Sequence, residues 1–307
     1  MSEHLVASAG VNLAVAAAGA RDRPTLLLIH GYPDTKAVWN EVATELAERF
    51  HVVRYDVRGA GGSTTPPHVR DYALDRLIGD LVAVADDVSA DRPVHVVGHD
   101  WGSTQAWGAL LDRRLDGRIA SFTSISGPCL DHVRPWVRRR LRRPTPRGLR
   151  QLAGQLARSW YLLAFAIPGT PQLAWRLGGR RWPGVLTRME GVPPRPGHPA
   201  STLVRDACNT QRIYRANWRA GLRSRRDPRT AVPVQLIVPT RDRFVSPALH
   251  DDLERFAPDL RRREIRAGHW VIRSHAQTVA SWIAEFVDEH ERVRPLPSPP
   301  RQPVEAA

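Results

Sequence analysis

The sequence of 307 residues has few of the features that mark extracellular, metal-binding or membrane-spanning proteins. Its two cysteines, Cys129 and Cys208, belong to no Cys-x-x-Cys pair and stand beside no histidine. This usage argues against a disulfide framework and a metal site, and it fits a reducing compartment. No uninterrupted apolar run reaches the ~18 residues that a membrane span requires. We therefore expect a cytoplasmic protein that binds no metal.

Lysine is also scarce, since Lys36 is the one lysine, yet the formal net charge is +14. The basic residues are almost all arginines, and a GC-rich genome explains this preference as well as a functional requirement does. The functional alternatives are attraction to an anionic membrane surface or to nucleic acid. The sequence contains no nucleic-acid-binding motif, so we expect no nucleic-acid partner. Residues 5–19 are apolar but lack the preceding basic residues of a signal peptide.

Apolar strand patterns alternate with helical patterns over most of the chain, which predicts a mostly parallel sheet with helices on both faces. Between about residues 131 and 230 only helical patterns remain. We predict one α/β domain in two parts, 1–130 and 231–290, with an all-helical cap at 131–230, and a Pro-rich disordered tail at 291–307. The predicted strands are 4–9, 12–18, 25–29, 51–55, 94–97, 119–126, 232–239 and 263–265. The predicted helices are 39–49, 74–88, 103–111, 152–165, 203–222, 247–256 and 278–290.

An aspartate flanked by glycines follows one of the predicted strands. Residues 94–97 are apolar, residues 98–102 read Gly-His-Asp-Trp-Gly, and a helical pattern begins at Ser103. This order is typical of a nucleophile elbow, whose sharp turn leaves no room for a Cβ beside the central residue. The central residue is Asp100, and a carboxylate with an ordinary pKa of about 3.9 is ionised at neutral pH. A carboxylate nucleophile favours displacement at an epoxide or an alkyl halide. The alternative is that Asp100 only caps the following helix.

Three more stretches follow predicted strands, at the edge where open α/β sheets bind ligands. They contain Asp242, His269 and residues 30–33, which read His-Gly-Tyr-Pro. Asp100, Asp242 and His269 have the chain order nucleophile, acid, histidine of the α/β-hydrolase triad. The alternatives are an ordinary loop carboxylate at 242, a surface histidine at 269 and a simple turn at 32–33.

The chain resembles the epoxide-hydrolase branch of the α/β-hydrolases over residues 5–288. The residues that carry this resemblance are 30–33, 98–102, Asp242 and Gly268-His269. It is particularly similar to actinobacterial epoxide-hydrolase domains that some proteins fuse to a short-chain dehydrogenase. The resemblance implies an α/β-hydrolase core with a mostly parallel eight-stranded sheet, an inserted helical cap and no cofactor. It implies an oxyanion hole made by the backbone amides of Tyr32 and Trp101.

Two tyrosines of the predicted cap match the residues that bind the epoxide oxygen in this family. Tyr161 heads a Tyr-x-x-x-Phe-x-x-Pro run, although Ala166 stands where the family usually has glutamine, and Tyr214 heads a Tyr-Arg segment. The alternative is an aromatic stripe that only packs the cap. The resemblance also implies substrate contacts from loop and cap side chains: His30, Pro33, Trp101, Phe165 and Trp270.

The reaction that the resemblance implies is hydrolysis of a small-molecule epoxide to a vicinal diol. Asp100 would form a covalent ester, and His269, oriented by Asp242, would activate the water that releases it. We expect a hydrophobic or lipid-derived epoxide. The alternatives are a haloalkane dehalogenase with the same nucleophile and a non-catalytic ligand-binding scaffold. Two cap tyrosines suit an alkoxide leaving group better than a halide.

Arginines concentrate at the beginning of the predicted cap, in residues 132–150. The segment is either a solvated basic face or a surface that docks on anionic lipid, with Trp136 and Leu141 at the interface. The second interpretation predicts peripheral contact with an anionic membrane. The sequence leaves open whether the protein forms a homodimer.

Overall fold

Eight strands form one sheet in the structure, a computed structural model that describes residues 2–217 and 227–293. The strand order is β1-β2-β4-β3-β5-β6-β7-β8, and all pairs are parallel except β1 with β2 and β2 with β4. This confirms the expected mostly parallel eight-stranded sheet. The strands are β1 (Ser2–Ser8), β2 (Val11–Ala18), β3 (Thr25–Ile29), β4 (His51–Tyr55), β5 (Val94–His99), β6 (Ile119–Ile125), β7 (Val234–Pro239) and β8 (Leu260–Ile265).

Helices follow most of the strands and fill the segment between β6 and β7. In the core they are α1 (Asn40–Leu46), α2 (Leu74–Val88), α3 (Trp101–Ala109), α11 (Val271–Ser274) and α12 (Ala276–Val293). Between β6 and β7 they are α4 (Leu130–Arg142), α5 (Pro146–Arg158), α6 (Trp160–Ala166), α7 (Thr170–Gly178), α8 (Trp182–Glu190), α9 (Leu203–Thr210) and α10 (Arg212–Asn217). Single 3₁₀ turns occupy Lys36–Trp39, Val69–Tyr72, Arg113–Leu115, Gly179–Arg181, Pro247–His250 and Leu253–Arg255.

The core lies on both faces of the sheet because the central strands are apolar on both sides. On one face, Leu81 of α2 and Trp107 of α3 pack in one cluster with Val96 of β5. On the other, Val42 of α1 and Ile283 of α12 form a second cluster, and all five side chains are at most 1% exposed. Full burial of each such side chain contributes roughly 1.5–3 kcal/mol. The two layers hold the strand ends, and so the loops that follow them, in fixed positions.

A buried ion pair fastens the loop after β4 to α2. The Arg58 guanidinium donates from Nε and Nη2 to the two carboxylate oxygens of Asp80, at 2.7 and 2.6 Å. Both side chains are 1% exposed. A bidentate geometry of this kind satisfies both buried charges, which is the condition under which they can be buried.

In the described part of the insert between β6 and β7, all helices and 3₁₀ turns lie between Leu130 and Asn217, no strand is present, and residues 191–202 form an irregular segment with one isolated bridge between Arg195 and His198. The expected all-helical cap is therefore confirmed. The last five residues of the predicted helix 203–222 lie outside the described residues. The predicted tail lies outside them from residue 294 onwards.

Several predicted elements differ from those in the structure. The predicted helix 247–256 is replaced by two 3₁₀ turns, and Asp252 between them has a left-handed backbone with φ of 80°. Strand β8 begins at Leu260, earlier than predicted, because its arginines form ion pairs along an edge strand and hide the apolar pattern. Helix α1 ends at Leu46, before the predicted end at residue 49.

Candidate active site

Asp100 occupies the turn between β5 and α3. Its φ of 52° and ψ of −120° are strained for a residue with a side chain. A Cβ at Gly102 would lie 2.2 Å from the Ile29 carbonyl oxygen, and one at Gly31 would lie 2.4 Å from Asp100 Oδ2. Because glycine stands at both positions, the loop after β3 can press against the elbow. The sequence motif therefore places the Asp100 carboxylate against the backbone of the Gly31 loop.

The Asp100 carboxylate receives backbone N–H groups from both sides. The Tyr32 amide donates to Oδ2 at 2.8 Å. Burial raises the pKa of Asp100 to about 6, although His269 and the amides of Tyr32 and Trp101 oppose the rise. The two amides predicted to form an oxyanion hole thus both act on this carboxylate. Charge that develops on the same oxygen would meet donors that are already oriented.

His269 lies between two carboxylates. Its Nδ1 is 2.9 Å from Asp242 Oδ2, and its Nε2 is 3.9 Å from Asp100 Oδ1. Asp242 is held in turn, because its Oδ1 accepts the amides of Phe244 at 2.7 Å and Val245 at 3.0 Å. The structure thus brings together the three residues that the sequence analysis grouped.

The charges of the triad are mutually dependent. Burial alone would lower the pKa of His269, but the carboxylates of Asp242, Asp100 and Glu190 outweigh it and raise that pKa to about 9. Burial alone would raise the pKa of Asp242, but His269 lowers it below its ordinary value. The resting site therefore holds an imidazolium between carboxylates, and a neutral His269 forms more readily when one of those charges is removed.

A second hydrogen-bond network fixes the backbone of the histidine loop. Asp34 accepts from Trp270 Nε1 at 2.8 Å and pairs with His198 Nε2 at 3.0 Å. Burial lowers the pKa of His99 to about 3, helped by the nearby His269, so His99 is neutral and its Nε2–H donates to the His269 carbonyl at 2.9 Å. These contacts join the loops after β3, β5 and β8 to the cap.

The two tyrosines predicted to bind an epoxide oxygen come from different cap helices, Tyr161 from α6 and Tyr214 from α10. Their ring centroids are 5.8 Å apart with the rings perpendicular, and both line the cavity that also contains Asp100 and His269. Burial raises the pKa of each hydroxyl well above its usual value, so both stay protonated. Asn217 anchors the end of α10 by donating to the Tyr72 carbonyl at 2.9 Å and accepting from the Leu74 amide at 2.9 Å.

The cavity has a volume of about 710 Å³ and mostly aromatic walls. Of the residues predicted to contact substrate, Pro33, Phe165 and Trp270 line it. The Trp101 ring instead packs edge-on against Tyr214, with centroids 5.2 Å apart. His30 was also predicted to contact substrate, but its position in the structure contradicts this prediction. The ring is fully buried under the loop, with Nδ1 2.9 Å from the Gly31 carbonyl and Nε2 accepting the Val57 amide at 3.0 Å.

Several residues in or beside the cavity were not predicted from the sequence, and three of them contact predicted site residues or their loops. Trp175 lines the wall and donates its indole N–H to the Tyr32 hydroxyl. Phe244 packs on His269 with centroids 5.0 Å apart. Glu190 lies so close to the histidine loop that a Cβ at Gly268 would be 2.0 Å from its Oε2. A signal for Glu190 exists in the sequence, because it is the only acidic residue between positions 132 and 205.

Within residues 2–217 and 227–293, no group of three or more His, Cys, Asp or Glu side chains is arranged to hold a metal ion. In the same ranges, no helix combines the length and apolar character needed to cross a bilayer.

Comparison with known families and proteins agrees with this geometry. The family model described as the alpha/beta hydrolase fold matches residues 24–276. The protein named "Probable oxidoreductase EphD" of Mycobacterium tuberculosis is 39% identical over 285 residues, which are 91% of this chain and 48% of that protein. "Epoxide hydrolase A" of the same organism is 36% identical over 169 residues, covering 55% of this chain and 48% of that protein. The chain spans about half the length of these curated relatives.

Solved structures share the fold at low sequence identity. The epoxide hydrolase VrEH1 from Vigna radiata has a TM-score of 0.72 at 22% identity, covering 94% of this chain and 98% of that one. The epoxide hydrolase from Bacillus megaterium, solved in complex with an inhibitor, has a TM-score of 0.70 at 21% identity, covering 93% of this chain and 100% of that one.

Proposed function

The chain belongs to the α/β-hydrolase fold family, and from its site and its similarity to epoxide hydrolases we propose that it hydrolyses an epoxide to a vicinal diol. The observation that carries the proposal is the position of Asp100. It stands at the nucleophile elbow, 3.9 Å from His269, and lines the same cavity as Tyr161 and Tyr214. A carboxylate nucleophile, a base and two neutral phenols supply the groups that both halves of an epoxide hydrolysis need.

The first step forms an ester. An Asp100 carboxylate oxygen attacks one ring carbon of the epoxide, a new C–O bond forms, and the ring C–O bond breaks. The electron pair goes to the ring oxygen, which takes a proton from Tyr161 or Tyr214. The raised pKa of both tyrosines keeps them protonated until this oxygen becomes strongly basic. Asp100 loses its negative charge when the ester forms.

The second step releases the diol. Neutral His269 takes a proton from water at Nε2, and the water oxygen attacks Cγ of Asp100. The tetrahedral oxyanion is stabilised by the amides of Tyr32 and Trp101, and loss of one such donor typically costs about 3–4 kcal/mol. Collapse expels the product oxygen, which takes the proton from His269. One water is consumed, and its oxygen remains in the Asp100 carboxylate. Asp100 gives up the proton left on its carboxyl group, and this proton replaces the one that the tyrosine donated in the first step, so every group returns to its starting state.

The cavity supports a hydrophobic substrate. Its wall contains Phe165, Trp175 and Phe244, and rings of this kind gain free energy by covering apolar surface. A cavity of about 710 Å³ accommodates more than a two- or three-carbon epoxide. We therefore propose that aromatic or fatty epoxides are better substrates than short polar ones.

The test is a His269→Gln variant exposed to a panel of aromatic, fatty and short epoxides and to alkyl bromides. Wild type is expected to form diols, whereas the variant is expected to gain the mass of one epoxide on the peptide that contains Asp100. Loss of a general base slows ester hydrolysis by about 10²- to 10⁴-fold, so the ester accumulates. His275→Gln, a histidine outside the cavity lining, is the matched control and should turn over normally.

Two results contradict the proposal. One is an unchanged mass of His269→Gln after exposure to every epoxide that wild type converts. The other is release of bromide from the alkyl bromides with no diol from any epoxide, which would favour a haloalkane dehalogenase instead.

A further inference from the structure

Apolar side chains are exposed along the outside of the cap. Leu156, Trp160, Leu163 and Ile167 are 75%, 68%, 74% and 57% exposed. Leu156 is on α5, Trp160 and Leu163 are on α6, and Ile167 directly follows α6, so all four lie within twelve consecutive residues. Leu173 and Leu177 of α7, four residues apart, are 59% and 74% exposed. We call these six side chains the apolar cap surface. Exposed apolar groups of this extent are typical of surfaces that contact a partner.

The same part of the chain carries almost all of its net positive charge. Residues 132–189 contain thirteen arginines and no Asp, Glu or Lys, a formal charge of +13 out of +14 for the whole chain. The exposed members include Arg147, Arg150, Arg176, Arg180, Arg181 and Arg188. Other arginines in the described part of the cap form ion pairs, among them Arg139, Arg140, Arg195, Arg205 and Arg229. The six exposed arginines therefore stand free of carboxylates of the described residues.

A basic groove adjoins the beginning of α5. Its volume is about 730 Å³, and Arg142, Arg143 and Arg147 line it. Trp136 was predicted to contact a membrane, but the structure contradicts this because the side chain is buried. Trp136 is only 4% exposed, and its indole N–H donates to the Ala248 carbonyl at 2.7 Å. Leu141, the other residue predicted at the interface, is 60% exposed. Helix α5 is about 20 Å long and connects the basic groove to the apolar cap surface.

The active-site cavity opens beside the apolar cap surface. Trp160 is 68% exposed and also lines the cavity, and Met189, which is 43% exposed, lines it as well. The apolar cap surface and the cavity that contains Asp100 therefore share the Trp160 side chain.

We propose that this face of the cap docks on the surface of an anionic lipid bilayer, with the mouth of the active-site cavity turned towards the lipid. Arginines interleaved with Leu, Ile and Trp on helices are the chemistry of interfacial binding, in which apolar groups enter the headgroup boundary and cations meet anionic headgroups. Nucleic acid would satisfy the arginines but not the leucines. A second copy of the chain would bring two arginine-rich faces of like charge together.

Membrane docking itself does not depend on the proposed function. Only the implication that the substrate is dissolved in the bilayer rests on the proposed epoxide hydrolysis. Its test measures binding without turnover, so failure of docking and failure of epoxide hydrolysis are separate results. The full chain is mixed with vesicles of equal parts phosphatidylglycerol and phosphatidylcholine, or of phosphatidylcholine alone. Flotation is measured at about 0.15 M salt, where weak charge contacts are screened.

Wild type is expected to float with the anionic vesicles and to remain unbound with the neutral ones. Leu156→Ser with Leu163→Ser, and separately Arg147→Glu with Arg150→Glu, should each weaken flotation by about tenfold or more. The matched controls lie on the core: Leu5→Ser, 61% exposed on β1, and Arg21→Glu with Arg113→Glu, both exposed. The controls should float like wild type. None of these substitutions should change turnover of a short water-soluble epoxide.

Several results overturn the proposal. Wild type that stays unbound with anionic vesicles contradicts it, and so does equal flotation with both kinds of vesicle. A dimer in solution that Leu156→Ser with Leu163→Ser dissociates, without vesicle binding, would assign the surface to a second copy. Binding to a DNA duplex that the arginine variants abolish and the leucine variants leave unchanged, without vesicle binding, would assign it to nucleic acid.

Discussion

At the scale of single residues, the charge on His269 depends on the carboxylates around it. Asp242, Asp100 and Glu190 together outweigh burial and raise the pKa of His269 to about 9. In the proposed mechanism, alkylation would convert Asp100 into a neutral ester and so remove one of the three negative charges. The pKa of His269 would fall at that point. The first half of the proposed reaction would therefore increase the fraction of His269 that can act as a base in the second half.

The pH dependence of the two steps follows from these shifts. Asp100 must be ionised to attack, and its pKa is raised by burial to about 6. The single-turnover rate of alkylation should therefore rise as the pH increases through about 6. Ester hydrolysis needs neutral His269 and should rise with pH through a value below about 9. Quenched-flow measurement of both phases checks this, and an alkylation rate that is flat from about pH 5 to about pH 8 contradicts it.

Glu190 is expected to act through His269. Glu190→Gln removes a negative charge that raises the pKa of His269, so the pH profile of ester hydrolysis should move to lower pH. The readout is the midpoint of that profile, which a purely structural role would leave in place. Glu264→Gln, whose partner is Arg262 on the edge strand, is the matched control. A lower rate with an unmoved midpoint would mean that Glu190 only supports the loop.

Much of the site could be predicted at this scale because elbow, acid and histidine each follow a strand in a recognisable local motif. Asp100, Asp242 and His269 are brought together as their order suggested, although their roles stay predictions. His30 was expected to contact substrate, yet its ring bonds the Gly31 and Val57 backbone. Glu190 was missed because its effect depends on a cap helix reaching Gly268, a contact between distant segments.

At the scale of elements, the cap supplies its two tyrosines from separate helices. In the proposed mechanism, Tyr161→Phe and Tyr214→Phe would each remove one proton donor for the ring oxygen. Each should slow alkylation by about 10²-fold and leave ester hydrolysis largely unchanged. Single-turnover kinetics separate the two steps. If only ester hydrolysis slowed, the hydroxyls would have a different role from the one proposed.

The loop after β4 is held by the Arg58–Asp80 pair rather than by apolar packing alone. Asp80→Ala leaves the Arg58 charge buried at 1% exposure without its carboxylate, so it should lower the free energy of unfolding by about 3–5 kcal/mol. Asp75→Ala is the control, because its carboxylate is 70% exposed and an exposed pair contributes about 0–1 kcal/mol. Urea denaturation measures both. Equal losses would contradict the assigned role of the pair.

Elements were predicted best where the apolar pattern is strong. The buried strands at 25–29 and 51–55 agree with β3 and β4 to the residue. The segment 247–256 was predicted as a helix, but Asp252 adopts a left-handed backbone and two 3₁₀ turns replace it. Strand β8 was predicted too short because three consecutive arginines replace the apolar alternation. Arg261 and Arg263 pair with carboxylates of α12, and Arg262 pairs with Glu264 of the same strand.

At the scale of the whole molecule, the net positive charge of the chain lies in the cap and not in the core. The arginine-rich segment was visible in the sequence, but exposure was not, and Trp136 turned out to be buried against the Ala248 carbonyl. The apolar cap surface depends on how α5, α6 and α7 pack, which no local pattern encodes. The mostly parallel sheet, in contrast, is predicted by the alternation of strand and helix patterns, and the family resemblance implies its eight strands.

The proposed chemistry is tested most directly by a single turnover in water labelled with ¹⁸O, followed by mass analysis of the peptide that contains Asp100. Because water attacks Cγ of the enzyme ester, one ¹⁸O should enter the Asp100 carboxylate and the first diol should contain none. An unlabelled Asp100 together with ¹⁸O in the first diol would mean that water opens the epoxide directly, and would contradict the covalent route.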